Sequence, residues 1–249
     1  MKYTVFSGML IGPRPRQEDC ILDGSAVCQA DRLISQKGID AGHLLACVCD
    51  GLGGHAHGDM ASRFVCEQIN SRFPQTVPSP PAVRQILAEI QESAQRMLPE
   101  NSGTTIAGLM TAGSQAVVFN AGDSRVYKIA PPGMTRLSHD HSLVQGLVDN
   151  AFIHQDTASV HPLKNIVEFG MGHLFAPDWH YPHLHIHEEA LAPGTCYLIC
   201  SDGLNDIMTD AELHHLLMPD PIENGKILFA AIPEKGLTDN TSFIIVRTE

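Results

Sequence analysis

Three observations predict an α+β fold for this 249-residue chain. Strand-like apolar runs stand near both ends, Tyr3 to Phe6 and Ser242 to Val246. The helical patterns are grouped between strand runs rather than alternating with single strands, as βαβ units would require. Several apolar runs also stop abruptly on an acid beside a glycine, which puts carboxylates where strands surface.

Cys20-Ile21-Leu22 follows a polar loop, Gly12 to Asp19, and reads as a second strand. Asp31 to Gly42 reads as a polar excursion. Leu44 to Cys49 is uncharged and apolar, the mark of a strand buried on both faces. It ends on Asp50-Gly51-Leu52-Gly53-Gly54-His55. Asp59 to Phe73 is an amphipathic helix with Met60, Phe64, Val65 and Ile69 toward a core. Pro74 to Pro81 is a break between helices, and Ala82 to Leu98 a second helix striped by Val83, Ile86, Leu87, Ile90, Ala94 and Met97. Strand character returns at Ser102 to Met110. Ala116 to Ala121 and Arg125 to Ile129 are expected to form a hairpin about Gly122-Asp123. Helices are expected at His141 to Asn150, Ala211 to Met218 and Ile222 to Ile232, and a strand at Pro182 to His187 with its histidines on one face. Cys196 to Cys200 repeats the earlier plan, an apolar strand leading into Ser201-Asp202-Gly203-Leu204, and Asp239 stands just before the last strand.

Asp50, Asp123, Asp202 and Asp239 thus close four apolar segments and are expected to meet on one rim. Clustered carboxylates repel unless cations sit among them. An oxygen-only set suits a hard ion such as Mg²⁺ or Mn²⁺ rather than zinc. The net charge of -12 opposes nucleic acid and anionic membrane as partners, and no run of about 18 apolar residues is present to span a membrane. Seven cysteines without a Cys-x-x-Cys pair read as reduced thiols of a cytosolic protein. Cys47-Val48-Cys49, taken as alternating between strand faces, is not expected to make a metal pair.

Other chemistries fit poorly. Gly51-Leu52-Gly53-Gly54-His55-Ala56 matches the dinucleotide fingerprint in form, but Asp50 would face the pyrophosphate and no second strand ending in an acid follows. The chain has no Gly-Lys-Ser/Thr phosphate loop, no Gly-x-Ser-x-Gly elbow and no His-Glu-x-x-His. His183, His185 and His187 read as a solvated strand face.

As a set, these residues resemble the metal-dependent protein serine/threonine phosphatases of the PP2C (PPM) family, in the compact bacterial form. Arg14-Pro15-Arg16-Gln17-Glu18-Asp19 is similar to the family's Arg-x-x-Asn-Glu-Asp, and Asp50 to His55 to its Asp-Gly-Met-Gly-Gly-His. Gly103-Thr104-Thr105, Gly122 to Tyr127, Leu137 to Ser142, His161-Pro162 with Asn165, Ser201 to Asp206, and Asp239-Asn240-Thr241 follow in the family's order. The likeness covers nearly the whole chain. It implies one catalytic domain over residues 1–249, a β-sandwich flanked by helices on both sides, and a dinuclear Mn²⁺ or Mg²⁺ centre. Asp50 is then the bridging ligand, the Gly51 carbonyl, Asp202 and Asp239 bind the first metal, and Glu18 reaches the second through water. Asp123 matches the holder of a third, weaker ion. Asp19 takes a structural or outer role, and Arg14 grips the substrate phosphate.

The resemblance further implies a cytoplasmic enzyme that hydrolyses phosphoserine and phosphothreonine in proteins, with water as nucleophile, opposing a serine/threonine kinase. Neither nucleic acid nor membrane insertion belongs to this reading. Two rivals stand beside it: a catalytically weak or dead member serving as a binding module, and a two-metal phosphoesterase for small molecules. The chain departs from the pattern at Gln17, where asparagine is usual, and at Glu168 to Gly172 in place of Thr-Arg-Ala-Leu-Gly. Leu52 stands where many eukaryotic members carry the histidine that protonates the leaving group. His55 is expected to hold the turn rather than replace it.

Overall fold

The structure, a computed structural model, describes residues 1–52, 57–73, 78–131, 133–158, 160–179 and 183–249. The chain runs β1 (Lys2–Leu10), β2 (Cys20–Asp23), β3 (Val27–Cys28), β4 (Arg32–Asp40), β5 (His43–Cys49) and β6 (Gly51–Leu52), then α1 (Gly58–Arg72) and α2 (Pro80–Met97). Five strands follow: β7 (Gly103–Thr104), β8 (Ile106–Ala112), β9 (Gln115–Ala121), β10 (Arg125–Ala130) and β11 (Gly133–Arg136). After α3 (Leu143–Asp149) and α4 (Gln155–Ala158) come β12 (His185–Ala190), β13 (Cys196–Cys200), α5 (Asp202–Asn205), α6 (Asp210–Leu217), α7 (Pro221–Ala231) and β14 (Thr241–Thr248).

Two six-stranded antiparallel sheets carry the fold. The first has the order β11-β10-β13-β14-β1-β4, the second β12-β9-β8-β5-β2-β3. Between them lie Val5, Met9, Val48, Leu109, Ile199 and Ile244. Helices α1 and α2 cover the outer face of the second sheet through Val65, Ile69, Leu87 and Ile90. On the outer face of the first sheet, α6 and α7 pack Leu213, Leu217 and Leu228 against Phe6, Leu198 and Phe243. The result is the helix-sheet-sheet-helix layering that the resemblance implies. Both faces of β5 are therefore buried, which is why it reads as an unbroken apolar run. No described helix is long and apolar enough to cross a membrane.

Several local expectations need correcting. Arg32–Asp40 is a nine-residue strand, not an excursion: it pairs with β1 at the sheet edge, with alternately exposed and half-buried residues. Met60 and Met97 are exposed at 48% and 70%, away from the core stripe. Helix α2 begins at Pro80, two residues early, because proline suits a first helical turn and Ser79 caps it by accepting the Ala82 N–H. His183 precedes β12 rather than lying in it. β9 and β10 are not a hairpin. β9 pairs with β8 and β12 in one sheet, and β10 with β11 and β13 in the other. The Gly122-Asp123 turn thus crosses between sheets, with Gly122 at φ 105°, and brings Asp123 to the rim. Finally, Cys47 and Cys49 share a face, since strand residues two apart point the same way.

Candidate metal centre

The rim acids are held by backbone before any side chain acts. Asp50 follows β5, where its N–H donates to Thr105 Oγ1 at 3.1 Å and its carbonyl accepts from Thr105 N–H and Thr104 Oγ1, each at 2.8 Å. Thr105 Oγ1 in turn bonds Ser124 Oγ at 2.7 Å, linking this strand end to the Asp123 turn. His141 braces the same turn: with Nε2–H donating to the His183 carbonyl at 2.6 Å, Nδ1 accepts the Gly122 N–H at 3.1 Å. Asp202 opens the short helix α5 directly after β13. Asp239 precedes β14 and pairs with the Arg14 guanidinium.

These placements bring the predicted acids together. Burial, then the charges of Asp19 and Asp202, push the Asp50 carboxyl well above the usual carboxylate range. Burial and the Asp202 and Asp140 charges do the same to Asp123. Asp202 is pushed up to about 6, first by burial, while contact with the Asp50 carboxyl partly offsets this and the Asp206 and Asp239 charges add to it. Glu18, half-buried, is raised by burial against the pull of Arg14. Such crowding costs free energy whenever the group is ionised, and a bound cation removes that cost. The donors on this rim are carboxylate and carbonyl oxygens, which suits a hard divalent ion. The residues therefore fit the metals that the resemblance implies.

Asp19 is fully buried, accepts Ser201 Oγ–H at 2.9 Å, and is pushed up to about 7 by burial. Asn240 is the residue whose importance the motif alone did not reveal. Its Oδ1 accepts the Glu18 N–H at 2.8 Å, and its Nδ2 donates to the carbonyls of Ile11 at 2.8 Å and Arg16 at 3.1 Å. One buried amide thus fixes the whole Arg14–Glu18 loop beside Asp239. His55, with Gly53, Gly54 and Ala56, lies outside the described residues.

A cleft of about 490 Å³ is lined by Asp123, Asp140, Lys164, Asn165 and Asp202. Its wall is set by ion pairs. Arg125 forks onto Asp140, with the closest contact at 2.7 Å, Arg136 adds a second contact at 3.3 Å, and Lys164 Nζ meets Asp206 Oδ1 at 2.7 Å. In the segment between α3 and β12, Phe152 and Val160 stand 76% and 79% exposed.

Comparison with known proteins agrees with this geometry. The protein phosphatase 2C family model matches residues 22–220, which include Asp50, Asp123 and Asp202. The serine/threonine protein phosphatase PstP of Mycobacterium tuberculosis is 30% identical over 224 residues, 86% of this chain and 42% of that relative. The chain thus spans less than half the length of that curated relative. The serine/threonine phosphatase stp of Listeria innocua is 28% identical over 80% of this chain and 82% of its own length. The solved M. tuberculosis PstP/Ppp has a TM-score of 0.78 at 25% identity, covering 100% of both chains. A further PstP catalytic-domain structure, solved with two manganese ions, has a TM-score of 0.74 at 23% identity, covering 99% of both chains. A family match over most of the sequence, a shared two-sheet fold and four acids gathered at its rim lead to one assignment: the chain belongs to the protein phosphatase 2C family.

Proposed function

We propose that the protein is a metal-dependent phosphatase that removes phosphate from phosphoserine and phosphothreonine in proteins. The observation that carries this reading is the gathering of Asp50, Asp123 and Asp202 at one rim, where burial first and the charges of neighbouring carboxylates next disfavour their ionised forms and so call for cations. The manganese held by the PstP catalytic domain supports Mn²⁺, with Mg²⁺ the alternative of the same hardness. In our reading Asp50, the Gly51 carbonyl, Asp202, Asp239 and Glu18 would hold two such ions, with Asp50 shared between them, and Asp123 would hold a weaker third. Divalent ions in such a cluster lower the pKa of water toward neutrality and offset the charge on a phosphoryl group.

The side chains then have separable tasks. Asp50 fixes the spacing of the site from a backbone anchored on three sides. Arg14 sits on the solvent side of Asp239, and its planar fork leaves N–H groups for phosphate oxygens. Leu52 cannot donate a proton and His55 is not assigned the role, so water, free or held at the metal centre, would supply the proton to the leaving oxygen. Residues 1–249 act as one catalytic domain in the cytoplasm, and a serine/threonine kinase is the natural opponent. A phosphothreonine peptide tests the reading: hydrolysis should stop in EDTA and return with Mn²⁺. Turnover of small phosphate esters without turnover of the peptide would favour a metabolite phosphoesterase, and no turnover of either would favour a binding module.

A further inference from the structure

The face of the second sheet that α1 covers carries sulfur. Cys47 and Cys49 leave β5 on the same side. Cys20 stands opposite Cys49 in the β2–β5 register, so its side chain shares that face. Cys66 comes down from α1. The sulfurs of Cys47, Cys49 and Cys66 all lie within 4.8 Å of one another, Cys47 and Cys66 being 4.0 Å apart. Cys66 Sγ also lies 3.5 Å from the Cys20 carbonyl oxygen, and the Cys20 side chain stands on the same face outside this group of three sulfurs. All four residues are fully buried. Strand β5 and helix α1, from separate parts of the sequence, thus bring three thiols together, with the Cys20 of β2 on the same face.

A buried cysteine alone is a small hydrophobe, and Cys196 and Cys200 serve that way in the other sheet. The cluster differs in spacing and in chemistry. Sulfurs about 2.3 Å from a common cation sit roughly 3.8–4.0 Å from one another, so a contraction of less than about 1 Å would close this cluster on an ion. Sulfur also selects different ions from oxygen: thiolates take zinc and copper(I), and carboxylates take magnesium and manganese. The neighbouring thiols of Cys49 and Cys66, donating to the Cys47 sulfur, favour its thiolate.

We propose that Cys47, Cys49 and Cys66, with Cys20 as the fourth sulfur, form a buried site for a thiophilic d¹⁰ cation, Zn²⁺ or Cu⁺, separate from the oxygen-lined centre at Asp50. Each ligating cysteine gives up its proton, because the thiolate is the ligand form. Cu⁺ held by two of these thiolates, or Zn²⁺ held by those of Cys47, Cys49 and Cys66, then carries one net negative charge among the apolar Leu22, Val65, Ile69 and Phe73, a cost that the metal–sulfur bonds offset. Either ion ties α1 to β5 directly behind the Asp50-Gly51 turn.

Cobalt tests the site, because a sulfur-to-cobalt charge-transfer band reports thiolate ligation alone. The full chain is kept reduced and anaerobic, with excess Mg²⁺ to fill the oxygen-lined centre. It is titrated with Co²⁺ both as folded protein and during refolding from denaturant. A band that saturates at one cobalt per chain is expected. Displacement by Zn²⁺ and by Cu⁺ in separate arms then tells which ion binds tighter. Cys66→Ser and Cys47→Ser should weaken binding by more than the roughly 10–100-fold that an outer-shell change costs. Cys28→Ser, which alters a thiol outside the cluster, should leave the band intact. Zn²⁺ should raise the melting temperature of the wild type and not that of Cys66→Ser. Absence of the band from the wild type in both titrations overturns the proposal whatever the variants do, and so does a band that survives Cys66→Ser but not Cys28→Ser.

Discussion

Asp50 and Arg14 are the residues whose replacement separates positioning from binding. Asp50→Asn keeps the shape and removes the charge that bridges the proposed ions. A kcat loss of roughly 10³-fold is expected, since the positions of both ions are lost together, with weaker Mn²⁺ binding by calorimetry. Turnover near that of the wild type would remove Asp50 from the centre. Arg14 behaves differently, because its partner is Asp239. Arg14→Ala should raise KM for a phosphopeptide while divalent-ion affinity holds or rises, as the guanidinium no longer competes for that carboxylate. An unchanged KM would make Arg14 a surface ion-pair residue only. The acids were legible in the sequence because Asp50, Asp123 and Asp202 follow apolar strands and Asp239 precedes one, and a strand end is where backbone pairing releases a side chain. Asn240 was not legible as an anchor. Its amide bonds the Ile11 carbonyl from 229 residues away, a contact that exists only after folding and leaves no periodic trace.

At the scale of elements, the contact between α5 and β14 is the tightest constraint. A Cβ on Gly203 would lie 2.1 Å from the Asn240 carbonyl oxygen and 2.8 Å from Thr241 Oγ1. Neither helix nor strand can withdraw without moving Asp202 or Asp239. Gly203→Ala should therefore destabilise the fold by about 1–3 kcal/mol, the usual cost of overpacking, and weaken Mn²⁺ binding as well. A melting temperature and metal affinity both equal to wild type would show that the contact relaxes freely. The same scale explains where sequence reading failed. β4 was overlooked because an edge strand with half-exposed faces lacks the apolar run that marks β5. The supposed β9–β10 hairpin failed because a glycine turn signals reversal of direction, not which sheet receives the next strand. Helices α1, α2, α6 and α7 were legible because each keeps an apolar stripe against one sheet.

For the whole molecule, the crowded acids set a dependence of stability on pH. Asp50 and Asp123 are raised well above the usual range, Asp202 to about 6 and Asp19 to about 7. A folded-state pKa above the unfolded one means that the native state holds more protons. That stabilisation is complete below the ordinary carboxyl pKa and is lost as pH rises through the folded values. In chelator, melting temperature should fall between about pH 4 and pH 7, and added Mg²⁺ should restore more at the upper end than at the lower. A pH-independent melting temperature in chelator would contradict the crowding. The layered architecture was legible through its motifs rather than its periodicities, since strands buried on both faces do not say how two sheets stack. The position of β14 has a consequence for biosynthesis. It lies between β13 and β1 in the middle of the first sheet, so during translation that sheet stays in two halves until β14 leaves the ribosome. Asp239 and Asn240 emerge just ahead of it, and without them the Arg14–Glu18 loop has neither its ion pair nor its anchor. A nascent chain stalled before Asp239 is therefore expected to show no phosphatase activity, whereas one stalled well beyond β14 should show it, because only the latter has joined the two halves of the sheet.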